Sequence, residues 1–214
     1  MNKTLKILIV IFLSIILCLG GYFLYKNTSK SIDDLPYEII TNETEKSKIA
    51  TDAFLDIIIL IQKYNSLNAN IDVMLEPAMR IAGNLGKVQS STENGYLEYV
   101  PANTIHTIIN DLTGKTVQKP IQIEDFYYLY DQEKDYYYIV PLGADWLHYD
   151  NIKEVRKIDG GKYYKITCSA SCTIGYDSDT TLSYDQIVVT YKYCPENTYA
   201  RYQLVSITNS GFNN

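Results

Sequence analysis

The 214-residue chain contains two histidines, four cysteines and one tryptophan. His106 stands between the apolar positions Ile105 and Ile108, and reads as a core or solvent-edge histidine. His148 stands in Trp146-Leu-His-Tyr149, beside the only tryptophan. In an extended strand Trp146 and His148 share a face. With Tyr128 and Tyr137 of a tyrosine-rich hairpin they are the candidate ligand-binding residues. Indole and phenol rings offer flat apolar contact with a polar handle, and the imidazole adds a hydrogen-bonding group. Each also has a purely structural reading, because tryptophan is usually core and a histidine at a strand end is usually half exposed.

No residue qualifies as catalytic on pattern. There is no G-x-S-x-G elbow and no cysteine in a nucleophile context. H-E-x-x-H, the P-loop and G-x-G-x-x-G are absent from the sequence. Asp177-Ser-Asp179 with Asp185 could offer oxygens to calcium, but lacks the glycine and distal glutamate of an EF-hand loop. The remaining carboxylates fall mostly in turns and linkers, where they are solvated. Cys168 and Cys172 stand four apart, roughly 13 Å in an extended strand and too far to bridge. Either the chain bends at 169–171, or one of them pairs with Cys194, or all are buried thiols. No metal site and no cofactor is expected.

The tyrosines need elements to hold them. Asp125–Pro141 carries six of the chain's 21 tyrosines. Alternation sends Phe126, Tyr128 and Tyr130 to one face and Tyr127 and Leu129 to the other. Across the turn at 131–135, Tyr136 and Tyr138 oppose Tyr137 and Ile139. Tyrosine is a strong strand former, and the excess recurs at 163, 164, 191, 193, 199 and 202. The run is therefore sheet-building material first and a stacking surface second.

Around it the hydrophobic period divides the chain. Asn42 with Glu45 forms a capping pattern, and Ala50, Phe54, Ile57, Ile61 and Tyr64 keep helical spacing to about residue 67. Ile57 and Ile61 are expected to face a sheet. A second helix begins near Pro77 and ends at Gly83 or Gly86. A turn at Glu93-Asn-Gly95 and a short strand at 96–100 follow. A third helix is capped by Asn103 and Gly114, with a stripe of Ile105, Ile108, Ile109 and Leu112. Strands are then expected at 121–130, 136–141, 152–158, 162–172, 185–194 and 199–207. Short turns between them mean antiparallel hairpins, and helices before a meander mean an α+β fold.

The N-terminus is apolar and uncharged over residues 7–25, flanked by lysines. That is close to the 20 or so helical residues a bilayer core requires. An uncleaved signal anchor fits better than a cleaved signal peptide or a lipoprotein signal. This gives a transmembrane anchor at 1–26, a linker at 27–43 and an extracytoplasmic domain at 44–210 in the bacterial cell membrane. Beyond Lys26 there are 16 basic and 25 acidic residues, net −9. Such a surface does not suit nucleic acid, whose phosphates demand clustered lysine and arginine.

Three N-terminal helices, a short strand before the third and a curved antiparallel meander resemble the NTF2-like (cystatin-like) α+β cone over residues 44–207. The likeness lies in element order. It implies small-ligand binding, protein–protein contact inside envelope assemblies, or occasionally catalysis. With no catalytic pattern in the sequence, a non-catalytic envelope domain that binds a protein partner or a small ligand is expected. Gly143–Ile152 also resembles part of the secreted inhibitors of peptidoglycan DL-endopeptidases (the IseA type), which would imply plugging a hydrolase cleft.

Overall fold

The computed structural model describes Ser14 and residues 31–59, 71–91, 97–121, 128–139, 146–173, 181–209 and 212–213. Two compact units are present, Met1–Pro36 and Tyr37–Asn214. In the first, Ile32–Asp34 form a single 3-10 turn closed by a capping box between Ser31 and Asp34.

The second unit is mostly strand. Ten strands run in chain order: β1 Tyr37–Ile39, β2 Gln89–Ser91, β3 Leu97–Pro101, β4 Tyr128–Asp131, β5 Tyr136–Ile139, β6 Trp146–Ile158, β7 Tyr163–Thr173, β8 Thr181–Tyr193, β9 Tyr202–Asn209 and β10 Phe212–Asn213. Four α-helices accompany them, both counts being of the described residues: α1 Glu43–Asp52, α2 Leu55–Ile58, α3 Leu75–Asn84 and α4 Ala102–Thr113. All strand pairs are antiparallel. They make two sheets, one ordered β1-β6-β7-β8-β10 with β9 also on β8, the other β2-β3-β5-β4.

This corrects the expectation of three helices on one curved sheet behind a membrane helix. The fold is α+β, but with two sheets. The division arises because β3 crosses to β5, Val100 facing Tyr137, so the tyrosine hairpin joins the strand before α4 rather than the long meander. The transmembrane signal anchor, and with it a single-pass location in the bacterial cell membrane, is corrected too. Among the described residues, no helix is long and apolar enough to cross a membrane. Of the 7–25 segment on which that reading rested, only Ser14 is described.

Local chemistry explains most boundaries. Asn42 caps α1, its side-chain oxygen accepting from the Glu45 amide at 2.9 Å. The helix then breaks: Phe54 has φ +52°, left-handed, and α2 restarts after it. Leu55, Ile57 and Ile58 are nevertheless buried. Ile61 lies outside the described residues. Pro77 sits in the first turn of α3, where its missing N–H costs no helical bond. Helix α4 begins at Ala102, before the anticipated Asn103, because the Ala102 amide finds the Asp135 carbonyl at 2.9 Å. It ends at Gly114, φ +68°, whose amide bonds the Asn110 carbonyl. A Cβ there would meet the end of the Gln203 side chain of β9, which would have to shift, while the positive φ itself favours glycine.

Ile105, Ile108, Ile109 and Leu112 are fully buried, each stabilising the fold by about 1.5–3 kcal/mol relative to exposure. They share one core with Tyr137 and Val100 of the smaller sheet and with Val155, Ile166, Ile187, Val189 and Tyr191 of the larger. Part of the expected linker is strand: Tyr37 opposes Ile158 and Ile39 opposes Arg156.

Candidate functional site

The smaller sheet divides its tyrosines between two environments. The pairing Val100–Tyr137–Tyr130 lies on the inner face, and Tyr99–Tyr138–Leu129 on the outer face. This is the alternation of a pleated strand imposed on a run of three consecutive tyrosines.

On the inner face Tyr137 is completely buried. Its hydroxyl accepts a hydrogen bond from the Ile121 amide at 2.8 Å and lies 3.1 Å from Nε2 of His106 on α4. The His106 and Tyr137 rings meet edge to face at 5.9 Å, and Tyr130 lies 5.2 Å from Tyr137. A phenol has one proton to give. With Ile121 donating to it, the arrangement is best satisfied when Tyr137 donates to a neutral imidazole carrying its proton on Nδ1. Burial lowers the His106 pKa, and the nearby Asp135 carboxylate opposes that shift. Burial raises the Tyr137 pKa, only partly offset by the Ile121 hydrogen bond. Both groups are therefore neutral at pH 7.

The turn at 131–135 is tied down. Tyr130 donates to Asp135 Oδ1 at 2.7 Å, and this bond pushes its phenol up to about 12. Asp131 accepts from the Glu133 and Lys134 amides, an Asx turn. Asp135 takes φ +56°, which aspartate tolerates.

The outer face is different. Tyr99 stacks on Tyr136 with ring centroids 4.6 Å apart and tilts against Tyr138 at 6.0 Å. All three are half-buried, and Leu129 beside Tyr138 is 54 % exposed. The core does not use this exposed leucine and its row of rings.

Of the four residues picked from sequence, Tyr137 is a core residue whose hydroxyl is committed to Ile121 and His106. Tyr128 opposes Ile139 on the smaller sheet. Trp146 and His148 oppose Thr173 and Ser171 on the larger sheet. The four thus fall in two sheets, and the side chains of Tyr128, Trp146 and His148 lie outside what is described. Residues 174–180, with Asp177 and Asp179, also lie outside it. Sequence reasoning missed the pairing of His106 with Tyr137, 31 positions apart, which no local pattern announces.

Two further buried features are structural. Asp111 on α4 accepts from the Tyr199 amide at 2.7 Å and the Ala200 amide at 3.2 Å. Asn197 donates to the carbonyls of Asp111 and Ala200. Together they pin the β8–β9 connection. Cys168 and Cys194 are free, buried thiols. Burial pushes Cys168 up to about 12, which leaves it without nucleophilic thiolate at neutral pH. Among the described residues no three His, Cys, Asp or Glu side chains are grouped to hold a metal ion. No family model, curated protein or solved structure matches the chain.

Proposed function

We propose that this chain is a non-catalytic binding domain that recognises a protein partner through the outer face of its four-stranded sheet. One observation carries the reading: Leu129 stands 54 % exposed beside a stacked Tyr99–Tyr136 pair and Tyr138, on the face turned away from the core. Tyrosine rings lose little entropy on contact and combine apolar area with a hydroxyl, so they dominate the energetics of protein interfaces. Among the described residues, the buried polar groups that could do acid–base chemistry are used elsewhere. His106 and Tyr137 satisfy each other, Asp111 holds backbone amides, and Cys168 is buried and protonated.

The test is retention of a partner from an extract of the cells that make the protein. The wild type, a Tyr99→Ser/Leu129→Asp variant and a Val205→Asp control are compared; Val205 is exposed on the other sheet. Loss with the first variant alone is the expected result. Equal retention by all three removes the smaller sheet from the binding surface.

A further inference from the structure

We propose that the partner presents a cationic, extended segment that adds as a strand to the edge of β4 opposite β5. This rests on the outer tyrosine face being the contact surface. The first observation is positional. β4 is the last strand of its sheet, and among the described residues it pairs with β5 alone. An edge strand carries a row of unpaired N–H and C=O groups that template another strand. Proteins blunt such edges with very short strands, charged side chains, proline or a bulge. β4 is short, Tyr-Leu-Tyr-Asp, and its one charge is the acidic Asp131; it has no lysine or proline, and its pairing with β5 shows no register shift.

The second observation is charge. The turn that ends β4 carries Asp131, Glu133 and Asp135 against Lys134 alone. Asp135 is engaged by Tyr130 and Asp131 by the turn amides, while Glu133 is exposed. The whole chain has a net charge of −6, which steers basic partners towards it at long range.

The third observation is the use this protein makes of tyrosine elsewhere. Arg156 lies 4.8 Å from the ring centroid of Tyr37, Lys162 5.5 Å from Tyr163 and Lys87 5.7 Å from Tyr199. Aromatic faces attract cations, and among the described residues Tyr99, Tyr136 and Tyr138 hold none. An added strand with alternating side chains would lay one set beside Leu129 on the outer face, with Tyr138 one strand further in, and bring basic groups beside Glu133. Backbone pairing supplies affinity in this mode, and the alternate side chains supply selectivity.

The probe is acetyl-(Lys-Val)4-amide, with acetyl-(Glu-Val)4-amide as its counterpart, titrated into the full chain. The lysine peptide is expected to bind saturably, at least about tenfold more tightly than the glutamate peptide, and more weakly as salt rises. Amide exchange at residues 128–131 should slow on binding, while exchange in β9 should not. Glu133→Gln and Leu129→Ser should each weaken binding. Absence of binding, or binding without protection of β4, overturns the proposal. If Tyr99→Ser/Leu129→Asp abolishes partner retention while neither peptide binds, the face stands and the cationic strand is wrong. If that variant retains its partner, the face itself is wrong and this inference falls with it.

Discussion

The hydroxyl of Tyr137 lies 3.1 Å from Nε2 of His106, so a fully buried phenol ties the four-stranded sheet to the last helix. The same oxygen accepts from the Ile121 amide at 2.8 Å. Tyr137→Phe keeps the ring and removes both bonds, leaving a buried N–H without an acceptor. The expected cost is about 1–3 kcal/mol, seen as a lower urea midpoint with an unchanged slope. An unchanged midpoint would mean that the hydroxyl contributes nothing net.

The same pair predicts a pH dependence. Burial places the folded-state pKa of His106 below its ordinary value of 6.5. Between the two values the unfolded chain binds the extra proton, so stability falls as pH falls. The contribution is whole above about pH 6.5 and is lost progressively below it. Urea midpoints measured from pH 7.5 to 5 should decline more steeply for the wild type than for His106→Phe. Equal slopes would show that His106 titrates alike in both states.

Asp111 makes a separate prediction. It is 6 % exposed and accepts from two backbone amides of the β8–β9 connection. Asp111→Ala leaves both donors without their partner and should cost about 2–4 kcal/mol. Hydrogen exchange at Tyr199 and Ala200 should accelerate more than at the core strands. A uniform change across the chain would argue against this local tether.

Cys168 is buried, and its thiol is pushed up to about 12. Alkylation by iodoacetamide at pH 8, followed peptide by peptide, should leave Cys168 unmodified in the native state. Labelling should then appear in step with global unfolding in urea. Rapid native labelling would show that the strand carrying Cys168 opens locally.

Much of the fold was legible because some signals are local. The stripe Ile105, Ile108, Ile109 and Leu112 and the stop at Gly114 describe α4 almost to the residue. Alternation alone separates buried Tyr137 from half-exposed Tyr136 and Tyr138. The missed features depend on distant partners. β1 is three residues long and exists only because Tyr37–Ile39 meet Arg156–Ile158; in isolation its polar, acidic context reads as a linker. The first helix keeps its apolar spacing straight through Phe54, so periodicity cannot show that the backbone turns left-handed there. Nor can it show that β3 joins β5, the pairing that makes two sheets and creates the outer tyrosine face. That face includes Tyr99, whose neighbours Tyr136 and Tyr138 are remote in sequence.

The central claim is that the outer face of the smaller sheet is where a partner binds. Leu129→Asp at an exposed edge position should change stability by no more than about 0.5 kcal/mol, so a binding defect would not be a folding defect. The most direct measurement places a photo-activatable cross-linking residue at position 129, and separately at position 205, in the cells that make the protein. A discrete adduct from position 129, absent at 205 and lost when Tyr99→Ser is added, is the predicted result. Adducts of equal yield from both positions, or none from 129, would contradict the claim.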